Sequence, residues 1–453
     1  MALRPSIILH VPDAQNSDRD LDPQVRDTAR AIFQQALSIA TVDKAFQRHV
    51  HCERGVLRVC EDLYDLHSYS RVFVVSIGKA GHTMAQALAD QVGESLEGIV
   101  ASPVEPATHL RGFRYFVGGH PTPNAESIRA ADAILKSVAS LGASALVIYL
   151  LSGGGSSITE KPVDDEISLD DLVVTYRVLV LSGAPIAQIN AVRKHLSAIK
   201  GGRLAQAASP ARQVSLMVSD VPDNTPDALA SGPTMPDSTT IADCYSVANE
   251  YGMLPQFPAS VRELFERHAI DETPKSDDPA FVHSRWWPIL SNKSIIEEAA
   301  AAAAAMGFAV EIDNSCDDWD YDRAADYLLA KLRKLRTGVS RVCLISGGEV
   351  TVKVTNGGVG GRNQQFALAC ATKIAGEKIA VLSAGTDGID GNSIAAGGVV
   401  DGTTLARANA KEMDAATALA RFDAFPLFES LGDVILTGPT GNNLRDLRVL
   451  LAY

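Results

Sequence analysis

The stretch Ser152-Gly153-Gly154-Gly155-Ser156-Ser157 follows an apolar run, Ala145 to Leu151, which is typical of a fully buried parallel strand. Three glycines let the backbone approach a ligand closely, and successive N–H groups in such a loop can bind an anion. A single glycine triplet is more often a tight turn after a strand. Taken alone, the stretch therefore predicts a buried strand that ends in a polar, glycine-rich turn.

The same pattern, an apolar run followed by serine and then glycine or aspartate, occurs five times in the chain. The other four turns are Ser76-Ile77-Gly78-Lys79, Ser219-Asp220, Ser346-Gly347-Gly348-Glu349 and Ser383-Ala384-Gly385-Thr386-Asp387. In open α/β sheets, ligands bind at the carboxyl ends of parallel strands, where such turns converge. The repetition predicts an α/β fold with a polar cleft suited to anions.

Composition narrows the class of protein. A chain of 453 residues with 46% hydrophobic and 21% charged residues predicts an ordinary globular protein of two or three domains. The net charge of -13 argues against nucleic-acid binding but does not exclude small anionic substrates. No apolar run reaches membrane length, and no signal peptide is evident. The six cysteines form no C-x-x-C pair. We expect a cytoplasmic protein with no nucleic-acid or membrane partner.

Changes in composition along the chain predict its domains. Residues 1–22 are rich in proline and aspartate and are expected to form a flexible arm. Residues 23–270 are predicted to form an N-terminal domain with a Rossmann-like, mostly parallel sheet. A loop-like segment then leads to a C-terminal α/β domain over residues 285–453. Residues 441–453 are expected to form a helix that could pack back on the N-terminal domain.

Basic residues near glycines are the candidate anion ligands of the N-terminal domain. Lys79 stands at a strand-to-helix junction, where a cation is unfavourable unless an anion binds, although a solvated loop lysine is equally consistent. Arg193 and Lys200 are two helical turns apart, which predicts that both lie on one helix face, with Asn190 in the same stretch. A solvated basic face is an equally good interpretation of this helix.

A second glycine-rich segment precedes Arg362. The alternating residues Glu349 to Val354 predict a strand, followed by a glycine loop and a helix that begins at Arg362, with Asn363 as a possible cap. Residues 358–363 fit a dinucleotide-binding fingerprint only in part, because the third glycine is missing. The arginine suits phosphate or carboxylate. Lysine would keep the charge but lose the bidentate fork, so Arg362→Lys is expected to impair activity. Because the helix dipole repels a cation in the empty enzyme, thermal stability is expected to be unchanged or slightly raised.

Carboxylates follow two of the predicted strands. Asp387 and Asp390 lie in the turn Gly385–Asn392 and are hard oxygen ligands of the kind that suits magnesium, although Asp-Gly turn chemistry accounts for them equally well. Asp220 could orient or deprotonate a substrate hydroxyl, or it could hold a metal. The sequence leaves both roles open.

Taken in order, these motifs resemble one family, the class II glycerate 2-kinases, whose C-terminal module is called MOFRL. The motifs that carry the resemblance are Gly78-Lys79-Ala80, His120-Pro121, Ser152 to Ser156, Arg193 to Arg203, Ser219-Asp220-Val221-Pro222, Ser231-Gly232-Pro233-Thr234, Gly360-Gly361-Arg362-Asn363-Gln364, Gly385 to Gly391 and Thr437-Gly438-Pro439-Thr440-Gly441. The resemblance runs from about residue 28 to residue 447. The sequence departs modestly from the family pattern after Lys79, after Ser156 and at Asn442.

The resemblance implies two α/β domains with the active site in the cleft between them. It implies transfer of the γ-phosphate of ATP, with Mg²⁺, to the 2-hydroxyl of D-glycerate, giving 2-phosphoglycerate and ADP, with a homodimer as a possible assembly. Lys79 and Arg362 would be the active-site cations, and Asp220 a third catalytic residue. The expected nucleotide or phosphate contacts are Gly78, Ser152, Gly153, Gly154, Gly155, Ser156, Gly360, Gly361 and Asn363. The expected substrate contacts are Arg193, Lys200 and Asn190, and the expected metal ligands are Asp387 and Asp220.

Two other functions compete with this one. A hydroxypyruvate reductase using NAD(P)H would find support in the incomplete fingerprint over residues 358–363. A sensor of sugar acids could use the same fold without catalysis. Consumption of glycerate that depends on ATP would distinguish the three.

Overall fold

A computed structural model describes residues 24–93, 96–355 and 357–453. The chain forms two compact units. Val42–Ile289 make up one of them, here called the contiguous unit, and Leu290–Tyr453 with the described residues up to Thr41 make up the other, here called the split unit. The arm predicted over residues 1–22 lies outside the described residues.

Helices and strands alternate along most of the chain. The helices are α1 (Gln24–Ile39), α2 (Val42–His49), α3 (Gly81–Val92), α4 (Ala125–Ala139), α5 (Gly155–Ile158), α6 (Leu169–Leu181), α7 (Ile186–His195), α8 (Arg203–Ala208), α9 (Ile241–Glu250), α10 (Ala259–Glu266), α11 (Asn292–Ala305), α12 (Tyr321–Arg336), α13 (Arg362–Lys373), α14 (Thr404–Ala410), α15 (Ala415–Ala420) and α16 (Ala424–Leu431). The strands are β1 (Val50–Glu53), β2 (Val56–Val59), β3 (Asp62–Asp65), β4 (Arg71–Ile77), β5 (Glu97–Ser102), β6 (Phe113–Val117), β7 (Ala145–Ser152), β8 (Arg212–Val218), β9 (Ser284–Leu290), β10 (Ala309–Ile312), β11 (Val342–Gly347), β12 (Ile379–Gly385), β13 (Gly397–Asp401), β14 (Val434–Ile435) and β15 (Asp446–Ala452). None of the helices described here is long and apolar enough to cross a membrane.

The main sheet of the contiguous unit has the strand order β6-β5-β4-β7-β8-β9. Strands β4 to β8 pair in parallel, which confirms the predicted Rossmann-like, mostly parallel sheet. The chain builds outward from β4 through β5 and β6 and then returns to place β7 on the other side of β4. The strand order therefore reverses between β4 and β7, which is where doubly wound sheets bind ligands. A separate antiparallel sheet contains β1, β2 and β3.

The register of this sheet brings three predicted turns to one edge. Every residue of β7 is buried, as expected for a strand covered on both faces. Ile77, the last residue of β4, lies opposite Leu151, and Leu151 lies opposite Met217 of β8. The turns after β4, β7 and β8 consequently leave the sheet side by side.

The sheet of the split unit is mixed, with the order β10-β11-β15-β12-β13-β14. Its strand β15 lies antiparallel between β11 and β12. The predicted C-terminal helix over residues 441–453 is therefore wrong. The apolar run Leu447–Ala452 is short for a helix, and as a strand it is buried and hydrogen-bonded on both edges.

The strand predicted over Glu349 to Val354 is also absent from this part of the described chain. The backbone turns at Gly348, whose φ is +82°, immediately after β11. Thr351 forms only an isolated bridge to Asp320, in which its N–H donates to the carbonyl of Trp319 at 2.8 Å. The alternation of residues reflected a partly exposed loop.

Helix α1 is where the sequence predicts, but it belongs to the split unit and not to the domain predicted over residues 23–270. Its buried face includes Ile32 and Phe33, and it packs against α11, β12, β13 and β15. Arg26 pairs with Asp401 at 3.1 Å and with Asp433 at 2.7 Å. Periodicity identified an amphipathic helix but could not indicate which sheet covers its apolar face.

Candidate functional site

The turns after β4 and β7 interlock at the edge of the parallel sheet. The N–H of Lys79 donates to the carbonyl of Gly153 at 2.9 Å, and the N–H of Ala80 donates to Oγ of Ser152 at 3.0 Å. Gly78 has a φ of +125°, and a Cβ there would lie 2.3 Å from Oγ of Ser152. Only glycine fits at this contact. The turn after β4 and the turn after β7, which are far apart in the sequence, are therefore joined by hydrogen bonds into one loop structure.

Three polar side chains surround this glycine loop. A Cβ at Gly153 would lie 2.1 Å from Oδ2 of Asp220. A Cβ at Gly154 would lie 2.8 Å from Cδ2 of His120 and 3.2 Å from Cγ of Lys79. The absence of side chains at these glycines is what lets the side chains of Lys79, Asp220 and His120 approach one backbone loop.

The charge of this group is set by its surroundings. Burial and the positive charge of Lys79 lower the pKa of His120, so its ring is neutral at pH 7. Lys79 is exposed, whereas Asp220 is partly buried. An exposed cation next to backbone N–H groups and a carboxylate can bind a phosphoryl group and orient a hydroxyl. The structure thus brings together Gly78, Lys79, Ser152–Ser156 and Asp220, and it adds His120.

Arg193 lies on α7, stacked 5.0 Å above the ring of Tyr176. Its Nε is buried and has no hydrogen-bond partner among the residues that the structure describes. An unpaired buried donor is costly, so a ligand anion near this guanidinium would relieve that cost. Asn190 lies one helical turn earlier on α7 and is partly exposed.

Lys200 has a different environment from the one predicted. Helix α7 ends at His195, so Arg193 and Lys200 do not share a helix face. Lys200 is only 1% exposed and forms an ion pair with the buried carboxylate of Glu160, and its Nζ lies 3.0 Å from Oη of Tyr176. Burial lowers the pKa of Lys200, against the opposing effect of Glu160. An interior ion pair does not fit the predicted contact with substrate.

In the split unit, Arg362 begins α13 as predicted, but it already has counter-charges. Its Nε donates to Oδ2 of Asp446 at 2.7 Å, its Nη2 donates to Oδ1 at 3.1 Å, and Nη2 also lies 2.6 Å from Oε1 of Glu349. Burial alone would lower the pKa of Arg362, but the hydrogen bonds and charge of Asp446 raise it. The premise of an uncompensated cation is wrong, and the expectation of unchanged stability in Arg362→Lys no longer follows.

The N-terminus of α13 is capped by Asp390. This buried carboxylate accepts the N–H of Asn363 at 3.0 Å and that of Gln364 at 2.9 Å. Burial raises the pKa of Asp390 to about 6, although these hydrogen bonds act in the opposite direction. Gly361 is the N-cap residue, and a Cβ there would lie 2.3 Å from Oδ1 of Asp390. The positive end of the helix dipole is therefore occupied by the protein's own carboxylate.

The structure also shows what Asn363, Gly360 and Gly361 contact within the split unit. Asn363 is not a cap: it is 1% exposed, and its Oδ1 accepts the hydroxyl of Ser383 at 2.6 Å. The N–H of Gly360 donates to Oδ1 of Asn392 at 2.9 Å, which ties the loop to the following turn. Gly360 and Gly361 thus permit close packing of two loops within the split unit.

Of the two aspartates in the turn Gly385–Asn392, Asp387 is the more accessible, because Asp390 is buried. A Cβ at Gly385 would lie 3.2 Å from Oδ1 of Asp387 and 3.5 Å from Oδ1 of Asp446, so the two carboxylates are neighbours. Oδ1 of Asp387 also accepts the N–H of Ile389 at 3.1 Å. Across the described residues, no group of three or more His, Cys, Asp or Glu side chains could hold a metal ion. The arrangement fits Mg²⁺, which typically takes one or two protein carboxylates and completes its shell with phosphate oxygens and water.

Sequence reasoning missed the residues that act as partners. Asp446 begins a short apolar run for which the sequence predicts a helix, and Glu349 lies in a predicted strand. The sequence presents Asp390 only as a possible metal ligand, and no motif points to Glu160. The available signal for His120 is its place in the motif His120-Pro121, one of those that carry the family resemblance.

Comparison with known proteins places this geometry in a family. Residues 28–266 match the model described as "Domain of unknown function (DUF4147)", and residues 342–446 match that of the MOFRL family. The chain is 36% identical to the D-glycerate 2-kinase of Thermotoga maritima, over 91% of this chain and 96% of that protein. The chain belongs to the glycerate 2-kinase family.

The other comparisons agree with this family membership. A crystal structure of the glycerate kinase from Thermotoga maritima superposes with a TM-score of 0.83 at 32% identity, covering 95% of this chain and 100% of that one. A protein of Agrobacterium vitis, 37% identical over 84% of this chain and 87% of its own length, carries a provisional name of hydroxypyruvate reductase. The family thus includes proteins named for both of the activities considered from the sequence.

Proposed function

We propose that this protein is an ATP-dependent glycerate 2-kinase, which transfers the γ-phosphate of ATP to the 2-hydroxyl of D-glycerate. The observation that carries the proposal is the convergence of Lys79 and Asp220 on the loop Gly153–Gly155, at the reversal point of a parallel sheet. It occurs in a chain that resembles a D-glycerate 2-kinase over nearly its whole length. Phosphoryl transfer needs positioned donors and neutralising charge more than covalent chemistry, and this loop offers both.

The backbone of the loop and the two charged side chains beside it have separate roles in this proposal. The backbone N–H groups of Gly153 to Ser156 bind phosphate oxygens, and the exposed ammonium of Lys79 neutralises the charge that develops on the transferred group. Asp220 accepts the proton of the 2-hydroxyl or holds the metal. Its partly buried position beside the loop suits either role.

Arg193 is the proposed anchor for the carboxylate of glycerate. Its buried Nε provides an unused donor, and the ring of Tyr176 fixes the plane of its guanidinium. Asn190 extends the same face of α7 with an amide. Lys200 acts behind them as part of the interior pair with Glu160.

Within the split unit, Arg362 and Asp387 are the proposed ligands of the nucleotide and its metal. The bonds to Asp446 use Nε and Nη2 of Arg362, which fixes the guanidinium and directs Nη1 elsewhere. Asp387 would hold Mg²⁺ through its carboxylate, which the N–H of Ile389 orients through Oδ1. When bound, the ion would neutralise and orient phosphate oxygens.

The geometry of the split unit counts against the reductase alternative. A dinucleotide fingerprint begins directly after a strand and leaves the following helix N-terminus open for a pyrophosphate. Here β11 ends at Gly347, well before the glycines at 358–361, and Asp390 fills the N-terminus of α13. The missing third glycine agrees with this argument.

The test combines two assays on one preparation. Purified protein is incubated with ATP, Mg²⁺ and D-glycerate, ADP formation is followed, and the product is identified as 2-phosphoglycerate by ³¹P NMR. In parallel, oxidation of NADH is followed with hydroxypyruvate. Turnover in the second assay at rates matching the first would contradict the proposal, and glycerate binding without turnover would favour a sensor.

Cytoplasmic location and assembly remain parts of the proposal. All six cysteines are free thiols in the structure, and Cys244, Cys316, Cys343 and Cys370 are buried, as is usual in a reducing compartment. The homodimer stays a prediction, which light scattering of the purified protein would test.

A further inference from the structure

Two successive non-glycine residues next to the glycine loop adopt left-handed backbone conformations. The φ of Ala230 is +51° and that of Ser231 is +60°, and Gly232 follows at +60°. Such conformations are unfavourable for residues with a Cβ, and they persist where the surrounding structure enforces them, commonly at functional sites.

The surroundings of this segment do enforce its conformation. The carbonyl of Ser231 accepts the N–H of Gly201 at 3.0 Å, and that of Gly232 accepts the N–H of Gly202 at 2.8 Å. The next carbonyl, that of Pro233, accepts the N–H of Leu204 in α8 at 3.1 Å. Consecutive carbonyls are therefore fixed to the start of α8, and the segment cannot relax without losing these bonds.

The strained segment contacts the loop through one methyl group. A Cβ at Gly155 would lie 2.7 Å from Cβ of Ala230, so the methyl of Ala230 fills the space that a side chain at position 155 would need. Ala230 is 9% exposed, and Gly155 is buried. The contact lies at the last glycine of the loop, where α5 begins.

We propose that Ala230 is a positioning residue for the glycine loop Gly153–Gly155. The left-handed backbone of Ala230 holds the methyl group of Ala230 against Gly155. The proposal rests on the proposed kinase function, because it assigns the loop to phosphate binding. Ala230 itself contacts no substrate. Its effect is to hold the loop N–H groups at one distance from Lys79 and Asp220.

The decisive variant is Ala230→Gly. Glycine accepts a positive φ without strain, so the midpoint of thermal unfolding should be unchanged or higher. The loop loses its support, however, and kcat/KM for ATP should fall by about tenfold, because small misplacements of binding groups have large kinetic effects. A purely structural residue would not combine an undiminished melting temperature with impaired kinetics.

The matched control is Arg54→Gly. Arg54 has a similar φ of +53° but lies exposed between β1 and β2. The variant Arg54→Gly should have the same kcat/KM for ATP as the wild type. Unchanged kcat/KM in Ala230→Gly, or a loss that merely follows a lowered melting temperature, would overturn the proposal. A wild-type protein without kinase activity would overturn the proposed function instead.

A double-mutant cycle tests the contact without any assay of activity. Gly155→Ala should lower the melting temperature in the wild-type background because its Cβ meets that of Ala230. The same change should cost clearly less in Ala230→Gly, where the 2.7 Å approach to Cβ of Ala230 is removed and only the 3.1 Å approach to Cγ2 of Ile77 remains tight. Equal costs in both backgrounds would show that Ala230 does not support the loop, which would contradict the proposal whatever the enzyme catalyses.

Discussion

Lys79 combines an exposed side chain with a backbone fixed beside the glycine loop, so its contribution to function can be separated from its contribution to stability. Because its side chain is exposed, Lys79→Met should leave the free energy of unfolding unchanged. Its kcat/KM for glycerate phosphorylation should fall by about a hundredfold or more, because a charge aimed at the transferring phosphoryl group is lost. Steady-state kinetics and a melting curve measure the two quantities. Lys136→Met, at an exposed lysine on α4, is the control, and near-native activity in Lys79→Met would remove Lys79 from the site.

Arg362 differs from Lys79 because its guanidinium forms an ion pair with the buried carboxylate of Asp446. Lysine keeps the charge but cannot make both bonds to Asp446, whose side chain is buried. Arg362→Lys should therefore lower the free energy of unfolding by about 1–2 kcal/mol and also impair activity. Urea denaturation followed by fluorescence measures the first effect. An unchanged urea midpoint would mean that the two hydrogen bonds from Arg362 to Asp446 add nothing to stability.

At the scale of elements, Asp390 makes the start of α13 sensitive to pH. Its pKa is about 6 in the folded protein and 3.8 for an ordinary aspartate, so the folded state binds the proton more tightly. The resulting stabilisation is complete below about pH 4 and is lost as pH rises through 6. Relative to Asp390→Asn, the wild type should lose about 2 kcal/mol of stability between pH 4.5 and pH 7. Denaturation curves at both values measure this, and a difference independent of pH would contradict it.

The pair Glu160–Lys200 joins the loop after α5 to the turn after α7. Lys200→Met should destabilise the protein by about 3–5 kcal/mol, because it leaves the fully buried Glu160 without its cation. The double variant Glu160→Gln with Lys200→Met should recover part of this loss. The denaturation midpoints of Lys200→Met and of the double variant are compared. If the double variant is the less stable of the two, the loss of stability in Lys200→Met does not come from an unpaired charge on Glu160.

Much of the architecture could be predicted at this scale because it is encoded locally. The apolar runs that became β4, β7, β8, β11 and β12 mark buried strands, and the turn residues after them mark the polar edge. Partners distant in the chain could not be found in this way. Arg362 and Asp446 are 84 residues apart, and nothing near either residue reveals the other. The C-terminal strand was missed because a short apolar run takes its conformation from the strands on either side.

For the whole molecule, the division of the split unit predicts how fragments behave. Residues 42–289 form a unit from one continuous segment and should fold alone with a cooperative unfolding transition. Residues 290–453 alone lack α1, whose Ile32 and Phe33 are fully buried. We expect that fragment to be unstable and to be rescued by a peptide of residues 24–41. Circular dichroism during titration with the peptide measures this, and a stable fragment without α1 would contradict it.

The division of the split unit also has a consequence during synthesis on the ribosome. Helix α1 precedes the contiguous unit in the chain, but α11, β12, β13 and β15, which pack against it, are translated only after that entire unit. At bacterial or eukaryotic elongation rates this delay is on the order of tens of seconds. During that time α1 lacks the elements that pack against it, whereas the contiguous unit can fold as soon as its own last residues have emerged. A chaperone that shields such helices should therefore raise the yield of native enzyme, and the final residues of β15 release the chain from that dependence.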